Sequence, residues 1–297
     1  MKTPVIDGIA ITHAERMVYP DDGITRQEVA DYYAAIMDRF LPQVEGRPTS
    51  VLRFPEGIGQ PGFFQKHPMQ GLRHVHSIRL VEADGGHGDY LCPRDARAVI
   101  ELVQFGALEF HPWAARADAL DEADYLVFDL DPAVDVAWTT VVAAARMIDK
   151  KLAAIGLRSF VRTSGGKGLH VVVPLHSSCG WNDAGQFAHA FARQLAGEQP
   201  DAFTSTASKH GRAGRIFIDY LRNSRGATSV ASYSLRGRAG APVAMPLRWS
   251  ELGRSSGGDH YTLRPARRRL ARQASDPWEG FVDMRQDLRE AAQRLGK

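Results

Sequence analysis

The stretch Tyr125-Leu126-Val127-Phe128-Asp129-Leu130-Asp131-Pro132 runs from apolar residues into two carboxylates. Its β-branched and aromatic residues predict a strand. Residues two apart in a strand project from the same face, so Asp129 and Asp131 can converge while Leu130 points into the core. Such carboxylates are the oxygen ligands that Mg²⁺ or Mn²⁺ requires. The alternative is a strand-end turn in which Asp-Pro starts a loop.

The residues that follow predict further elements of the same sheet. We expect helices over residues 135–155 and 182–196 and strands over residues 157–162, 169–174 and 215–220. Asp219 lies at the end of the last of these strands. It could supply a third carboxylate, and three acids could hold two metal ions.

The N-terminal part predicts two more helices. Thr25 can cap a helix whose apolar positions repeat with the helical period up to Pro42, and residues 95–108 follow Pro93 as another helical stretch. Strand-like and helix-like segments alternate without an internal repeat or a low-complexity linker. We therefore predict one domain of mixed α and β structure over residues 1–297.

A glycine-rich turn, Ser164-Gly165-Gly166-Lys167-Gly168-Leu169-His170, lies between two of the predicted strands. Its glycines would let backbone N–H groups approach an anion, and Lys167 adds positive charge. Gly168 follows Lys167 where a P-loop has Ser or Thr, and no helix opens directly afterwards, so a Walker-type ATPase is disfavoured. His170 could donate a hydrogen bond to a phosphoryl oxygen, although a histidine there could also be an ordinary buried one.

Positive charge is concentrated in one part of the chain. Residues 201–272 contain 14 Lys and Arg against 4 Asp and Glu, and the other residues contain 23 against 30. This asymmetry suits a surface that binds polyphosphate or a nucleic-acid backbone, with a solvated basic face as the alternative. The cations around Asp219 are Lys209, Arg212, Arg215, Arg222, Arg225, Arg236 and Arg238. Carboxylates bracketed by guanidinium groups suit phosphoryl transfer.

Composition excludes several classes of protein. A chain with 44% apolar and 24% charged residues is a folded globular protein. Cys92 and Cys179 have no CxxC spacing, so a disulfide framework and a cysteine-rich zinc site are excluded. No apolar run is long enough for a membrane span and no secretory leader is evident. We expect a cytoplasmic protein.

The combined motifs resemble the polymerase domain of bacterial DNA ligase D, a member of the archaeo-eukaryotic primase superfamily. The resemblance covers almost the whole chain. It rests on residues 128–132, 163–170, 217–223, 226–228 and 233–236, with further support from residues 17–20, 23–26, 62–67 and 108–113.

This resemblance implies an α+β fold, with a primase-like catalytic core of mixed and antiparallel β-sheets flanked by helices. It implies a template-dependent nucleotidyltransferase that fills gaps and extends broken ends in non-homologous end joining and prefers ribonucleotides. Divalent cations, with Mn²⁺ favoured over Mg²⁺, are the implied cofactors, and NTP or dNTP the substrates. The implied partners are gapped or recessed 5′-phosphorylated DNA ends, the Ku protein, and ligase and nuclease modules. The implied location is the bacterial nucleoid.

The resemblance also implies roles for individual residues. Asp129, Asp131 and Asp219 would bind the divalent ions and form the catalytic centre. His111, Ser164, Lys167, His170, Arg212 and Arg236 would bind the incoming nucleotide. Phe63 and Phe64 would stack on template bases, and Arg16 and Arg26 would hold the DNA 5′ phosphate. Two adjacent aromatic residues cannot both face inward from a strand, which favours an exposed position for one of the pair.

Other functions share parts of this pattern. A stand-alone primase would have the same three carboxylates and would start chains without a primer. A non-catalytic DNA-end binder would keep the basic and aromatic residues, but three acids within its cationic surface would weaken its binding. A metal-dependent phosphodiesterase would cleave the primer instead of extending it.

Overall fold

A computed structural model describes residues 3–82, 85–208 and 211–296, except for the side chains of residues 177–178. Lys209, one of the cations predicted near Asp219, lies outside the described residues. The chain divides into two compact units. Unit 1 comprises residues 1–118, 230–245 and 261–274, and unit 2 comprises residues 119–229, 246–260 and 275–297. The prediction of one domain stays a prediction.

The described residues of unit 1 form small antiparallel sheets and four α-helices. Its strands are β1 (Val5–Ile6), β2 (Ile9–Ala10), β3 (Met17–Tyr19), β4 (Ile24–Thr25), β5 (Thr49–Arg53), β6 (Phe63–Gln65), β7 (His76–Val81), β8 (His87–Cys92) and β9 (Ala107–Pro112). Its helices are α1 (Arg26–Ala35), α2 (Met37–Val44), α3 (Ala96–Gln104) and α6 (Leu263–Arg272). The largest of its sheets has the strand order β6-β5-β9, and both pairings are antiparallel.

The helix predicted after Thr25 is two helices in the structure. Thr25 caps α1 as expected: its side chain accepts a hydrogen bond from the Glu28 amide, and the Glu28 side chain accepts one from the Thr25 amide. The chain leaves the helical conformation at Ile36, and Pro42 lies inside α2. The apolar repeat did not reveal this break because both helices bury large side chains, such as Tyr33 and Phe40. The helix predicted over residues 95–108 is present as α3, with Asp95 as its N-cap, but it ends at Gln104, and residues 107–108 belong to β9 instead.

Unit 2 is built on one six-stranded sheet in the order β13-β14-β10-β12-β11-β15. Its strands are β10 (Glu122–Pro132), β11 (Phe160–Thr163), β12 (Leu169–Gly180), β13 (Phe203–Thr204), β14 (Ile216–Asp219) and β15 (Pro246–Leu247). Its helices are α4 (Trp138–Ala154), α5 (Trp181–Glu198) and α7 (Leu288–Leu295). All pairings are antiparallel except the parallel pairing of β13 with β14. Helices with mixed and antiparallel sheets confirm the predicted α+β class.

One face of this sheet carries the core of unit 2. Leu130 and Phe128 on β10 are fully buried, and the Phe128 ring lies 5.0 Å from the ring of Phe191 on α5. Because side chains alternate along a strand, Asp129 and Asp131 project from the opposite face. Burial of the apolar side chains against the helices therefore determines which face of the strand carries the carboxylates.

The described residues contain no helix long and apolar enough to cross a membrane.

Candidate active site

Four polar residues form a row across adjacent strands of the unit 2 sheet. Asp129 is the register partner of Asp219 on one side and of His170 on the other, and His170 is in turn the partner of Arg162. Register partners on neighbouring strands share a face, with Cβ atoms about 5 Å apart. Asp131 lies on the same face as Asp129. The strand-end carboxylates predicted from the sequence thus belong to one face, and β10 continues as a paired strand to Pro132, which rules out the turn interpretation.

Each of the three carboxylates has a cationic or histidine neighbour. Asp131 Oδ2 lies 3.1 Å from Arg212 Nη1, and Asp219 Oδ2 lies 3.1 Å from Arg222 Nε. Asp129 Oδ1 lies 3.4 Å from His170 Nε2. Among the described residues, no three His, Cys, Asp or Glu side chains are gathered as ligands around one point. The donor set nonetheless suits a hard cation, because all three groups are carboxylates on one face and Asp131 is half exposed.

Arg162 determines how His170 is held. Its Nε donates to His170 Nδ1 at 3.1 Å, and its Nη2 donates to Ser229 Oγ at 3.2 Å. An arginine can only donate, so Nδ1 must accept and the ring proton lies on Nε2, the nitrogen that faces Asp129. Arg162 was not among the residues predicted from the sequence. The sequence did contain a signal for it. Arg162 lies within an apolar strand, where an arginine becomes buried and needs a polar partner.

Arg212 is held between an aromatic ring and a carboxylate. Its guanidinium carbon lies 3.9 Å from the centre of the Phe217 ring, and its Nη1 donates to Asp131. Phe217 is the register partner of Asp131 on β14. The same strand pairing therefore places both the carboxylate of Asp131 and the aromatic ring on which the Arg212 guanidinium stacks.

The glycine-rich turn is closed on itself. The amides of Gly166 and Gly168 both donate to Ser164 Oγ at 3.2 Å, and the Gly165 amide donates to the Gly258 carbonyl at 2.9 Å. The expectation that these amides approach an anion is therefore wrong for these three groups, because the Ser164 hydroxyl and Gly258 accept their hydrogen bonds. Lys167 remains exposed at the turn.

We expect Gly168→Ala to destabilise unit 2. A Cβ at this position would meet the carbonyl oxygen of Leu130 inside the contact distance, so the β10–β12 pairing or the turn must shift. A cost of about 1–3 kcal/mol in the free energy of unfolding is typical of such overpacking. Urea denaturation measures it. Gly197→Ala in α5 is the control: its Cβ meets open space, and a gain of up to about 1 kcal/mol is expected from helix propensity. Equal stability of the two variants would contradict the clash.

In unit 1, a buried glutamate connects two of the predicted nucleotide-binding residues. Glu109 Oε2 accepts from Arg236 Nε at 2.8 Å and lies 2.9 Å from His111 Nε2, while Oε1 accepts from the Gly237 amide at 2.8 Å. Burial alone would raise the pKa of Glu109, but the His111 hydrogen bond, the Arg236 charge and the Gly237 amide together hold it at about 2. Glu109 was not predicted, although its position two residues before His111 on a strand placed both on one face.

Phe63 and Phe64 are both exposed, at 58% and 59% of their surface. They belong to β6, an edge strand that pairs only with β5 in its sheet. The Phe64 ring lies 5.8 Å from the His111 ring in an edge-to-face arrangement. The prediction that at least one of the two aromatic residues is exposed is confirmed.

Arg16 and Arg26 lie beside one another. Arg16 Nη1 and Arg26 Nη2 both donate to the Pro55 carbonyl, at 3.0 and 2.8 Å, and Arg26 Nη1 also donates to the Thr12 carbonyl. Burial, followed by the charge of Arg16, lowers the pKa of the Arg26 guanidinium. Arg16 also pairs with the exposed carboxylate of Glu56. Two adjacent guanidinium groups, one of them buried, form a local positive site.

Comparison with known proteins identifies the family. The model of the family described as "LigD, primase-polymerase domain" matches residues 25–278. The chain belongs to this family. LigD primase-polymerase domains are nucleotidyltransferases, enzymes that generally use divalent metal ions and nucleoside triphosphates.

Individual LigD proteins are similar over most of the chain. It is 39% identical over 293 residues to the multifunctional non-homologous end joining protein LigD of Pseudomonas aeruginosa, covering 98% of this chain and 35% of that protein. It is 36% identical over 252 residues to the LigD of Mycobacterium tuberculosis, covering 82% of this chain and 33% of that protein. The chain thus spans about a third of the length of these relatives.

A solved structure agrees with the fold. The polymerase domain of M. tuberculosis ligase D in complex with DNA matches with a TM-score of 0.86 at 31% identity, covering 94% of this chain and 99% of that one. The predicted primase-like polymerase fold is therefore confirmed.

Proposed function

We propose that this LigD-family chain is a template-dependent polymerase that fills gaps and extends 5′-phosphorylated DNA ends in non-homologous end joining, with a preference for ribonucleotides. The observation that carries the proposal is the row of Asp219, Asp129 and His170 on adjacent strands, with Asp131 on the same face. The names of the similar LigD proteins and the DNA complex of a structural relative support the biological setting.

In this proposal the three carboxylates hold two divalent ions, with Mn²⁺ favoured. When bound, these ions would activate the primer 3′ hydroxyl and neutralise charge on the triphosphate. Arg212 and Arg222, which now pair with Asp131 and Asp219, supply positive charge at the same face of the sheet. Because such catalysis depends mostly on positioning and charge, rigidly held side chains are what the reaction requires.

The nucleotide-binding residues supply complementary functions. In unit 2, Lys167 presents an exposed ammonium group, and Arg212 presents a guanidinium fixed by Phe217. His170 can donate only from Nε2 while Arg162 occupies Nδ1. Ser164 organises the turn that carries Lys167. In unit 1, His111 and Arg236 are proposed to bind the nucleotide from the positions that Glu109 gives them.

Contacts with DNA are proposed for unit 1. The exposed Phe63 and Phe64 suit stacking on template bases, which contributes about 1–3 kcal/mol per base. Arg16 and Arg26 suit a 5′ phosphate. Ku and the ligase and nuclease modules are further proposed partners, implied by the family resemblance.

The proposed function is tested by extension of a gapped, 5′-phosphorylated duplex with labelled NTP or dNTP, with Mn²⁺ or Mg²⁺. Templated addition to the primer, faster with NTP and with Mn²⁺, is the expected result. Dinucleotides formed on unprimed template would instead indicate a primase, and shortening of the primer a phosphodiesterase. Binding without any product would indicate a non-catalytic end binder.

Replacing Arg16 and Arg26 together by glutamine should weaken binding to 5′-phosphorylated gapped DNA at least about 100-fold, since charge-assisted hydrogen bonds contribute about 1.5–3 kcal/mol each and about 1.4 kcal/mol is tenfold in affinity. Binding of the same DNA without the phosphate should fall much less. Fluorescence anisotropy with both substrates measures the difference. Arg97→Gln is a matched control, because Arg97 is exposed in unit 1 and likewise donates to a backbone carbonyl, that of Asp7. Equal losses on both substrates would count against a phosphate pocket.

A further inference from the structure

Glu109 is a charged group buried where no solvent can stabilise it. Only 3% of its surface is exposed, and it lies in the middle of β9. An unpaired buried carboxylate is very unfavourable, so its partners must satisfy it. The partners are the Gly237 amide and the two side chains proposed above to bind the nucleotide, Arg236 and His111.

The geometry imposes order on both side chains. The same oxygen, Oε2, contacts Arg236 Nε and His111 Nε2 within 2.9 Å. A carboxylate accepts only, so His111 must carry a proton on Nε2. Arg236 has five donor N–H groups, and its bond to Glu109 engages one side of the fork. Gly237 is held by the other oxygen, Oε1, which fixes the backbone directly after Arg236.

We propose that Glu109 is a positioning residue for nucleotide binding, which holds His111 and Arg236 in their binding geometry before the nucleotide arrives. The inference rests on the proposed function, in which these two residues contact the nucleotide. Side chains that are already ordered lose less conformational entropy when the nucleotide binds. Replacing Glu109 should leave His111 and Arg236 less ordered, and the affinity for the nucleotide should therefore fall.

The test compares Glu109→Gln with the wild type in the extension assay. A glutamine has similar shape but no charge and only one acceptor oxygen, so its NH2 group must face either the Gly237 N–H or the donors of Arg236 and His111. We expect KM for the nucleotide to rise at least about 10-fold, with a smaller change in kcat and unchanged affinity for 5′-phosphorylated DNA. Glu109→Asp, which keeps the charge, should recover part of the loss. An unchanged nucleotide KM would overturn the proposal.

Glu101→Gln separates positioning from mere stability. Glu101 is also buried in unit 1, and its carboxylate accepts from the backbone amides of Arg73, His74 and Val75. Its replacement should lower stability, as the loss of any buried charged acceptor does, without changing the nucleotide KM. If Glu101→Gln raises KM as much as Glu109→Gln does, the effect is general destabilisation and the proposal fails.

Two further measurements keep the outcomes distinct. If His111→Ala and Arg236→Ala leave the nucleotide KM unchanged, their assignment in the proposed function fails. If both raise KM and Glu109→Gln does not, only the positioning role fails.

Should Glu109→Gln not fold, ¹⁵N NMR of histidine-labelled wild type decides instead: the His111 proton is expected on Nε2, and its signal should shift when nucleotide is added. A proton on Nδ1 alone would overturn the proposal.

Discussion

Replacing Asp219 by asparagine is expected to slow primer extension at least about 100-fold, the scale on which removal of one electrostatic stabiliser acts in enzymes. Asp219 is the register partner of Asp129, so the substitution removes one of the three negative charges from the carboxylate face. Asparagine keeps the shape and can still accept from the Leu221 amide, as Asp219 Oδ1 does at 2.9 Å. The fold should therefore persist while activity is lost.

The measurement is single-turnover extension of a gapped duplex with Mn²⁺, together with calorimetric titration of Mn²⁺ in the absence of DNA. Both the extension rate and the affinity for Mn²⁺ should fall. Asp149→Asn is the control, because Asp149 on α4 accepts from Ser159 Oγ and lies outside the carboxylate face. Near wild-type extension by the Asp219 variant would refute the catalytic role. Lost extension with unchanged Mn²⁺ binding would refute its role as a metal ligand.

The sequence predicted this face well because strand periodicity is a local property. An Asp-Leu-Asp run after apolar residues defines which side chains share a face, whatever the strand pairs with. The pairing of Asp129 with both Asp219 and His170 could not be derived in the same way, since register depends on residues about 40 and 90 positions further along the chain. The family resemblance supplied what local pattern could not.

The residues that the sequence failed to reveal are known only by their contacts with other side chains. Arg162 and Glu109 are both almost completely buried, and each binds a residue that was predicted. Their roles follow from contacts between elements, which composition and spacing do not specify. The turn at Ser164 shows the converse error: its glycines suggested amides directed at an anion, but a single hydroxyl accepts two of them.

Glu109 should make the stability of the protein depend on pH in the acid range. Its folded-state pKa is about 2, against 4.5 for an ordinary glutamate. A carboxyl group whose pKa is lowered by folding stabilises the protein fully above its unfolded-state pKa, and this contribution is lost as the pH falls through the folded-state value. At neutral pH, this lowering of the pKa corresponds to a contribution of about 3 kcal/mol to the free energy of unfolding.

We therefore expect the difference in the free energy of unfolding between wild type and Glu109→Gln to be about 2 kcal/mol smaller at pH 3 than at pH 6, because glutamine does not titrate. Urea denaturation of both proteins at both pH values measures it. A difference that is independent of pH for Glu109→Gln would mean that its contacts with His111 and Arg236 do not stabilise the ionised carboxylate. In that case a charged residue at position 109 would order the Arg236 side chain no better than a neutral residue does.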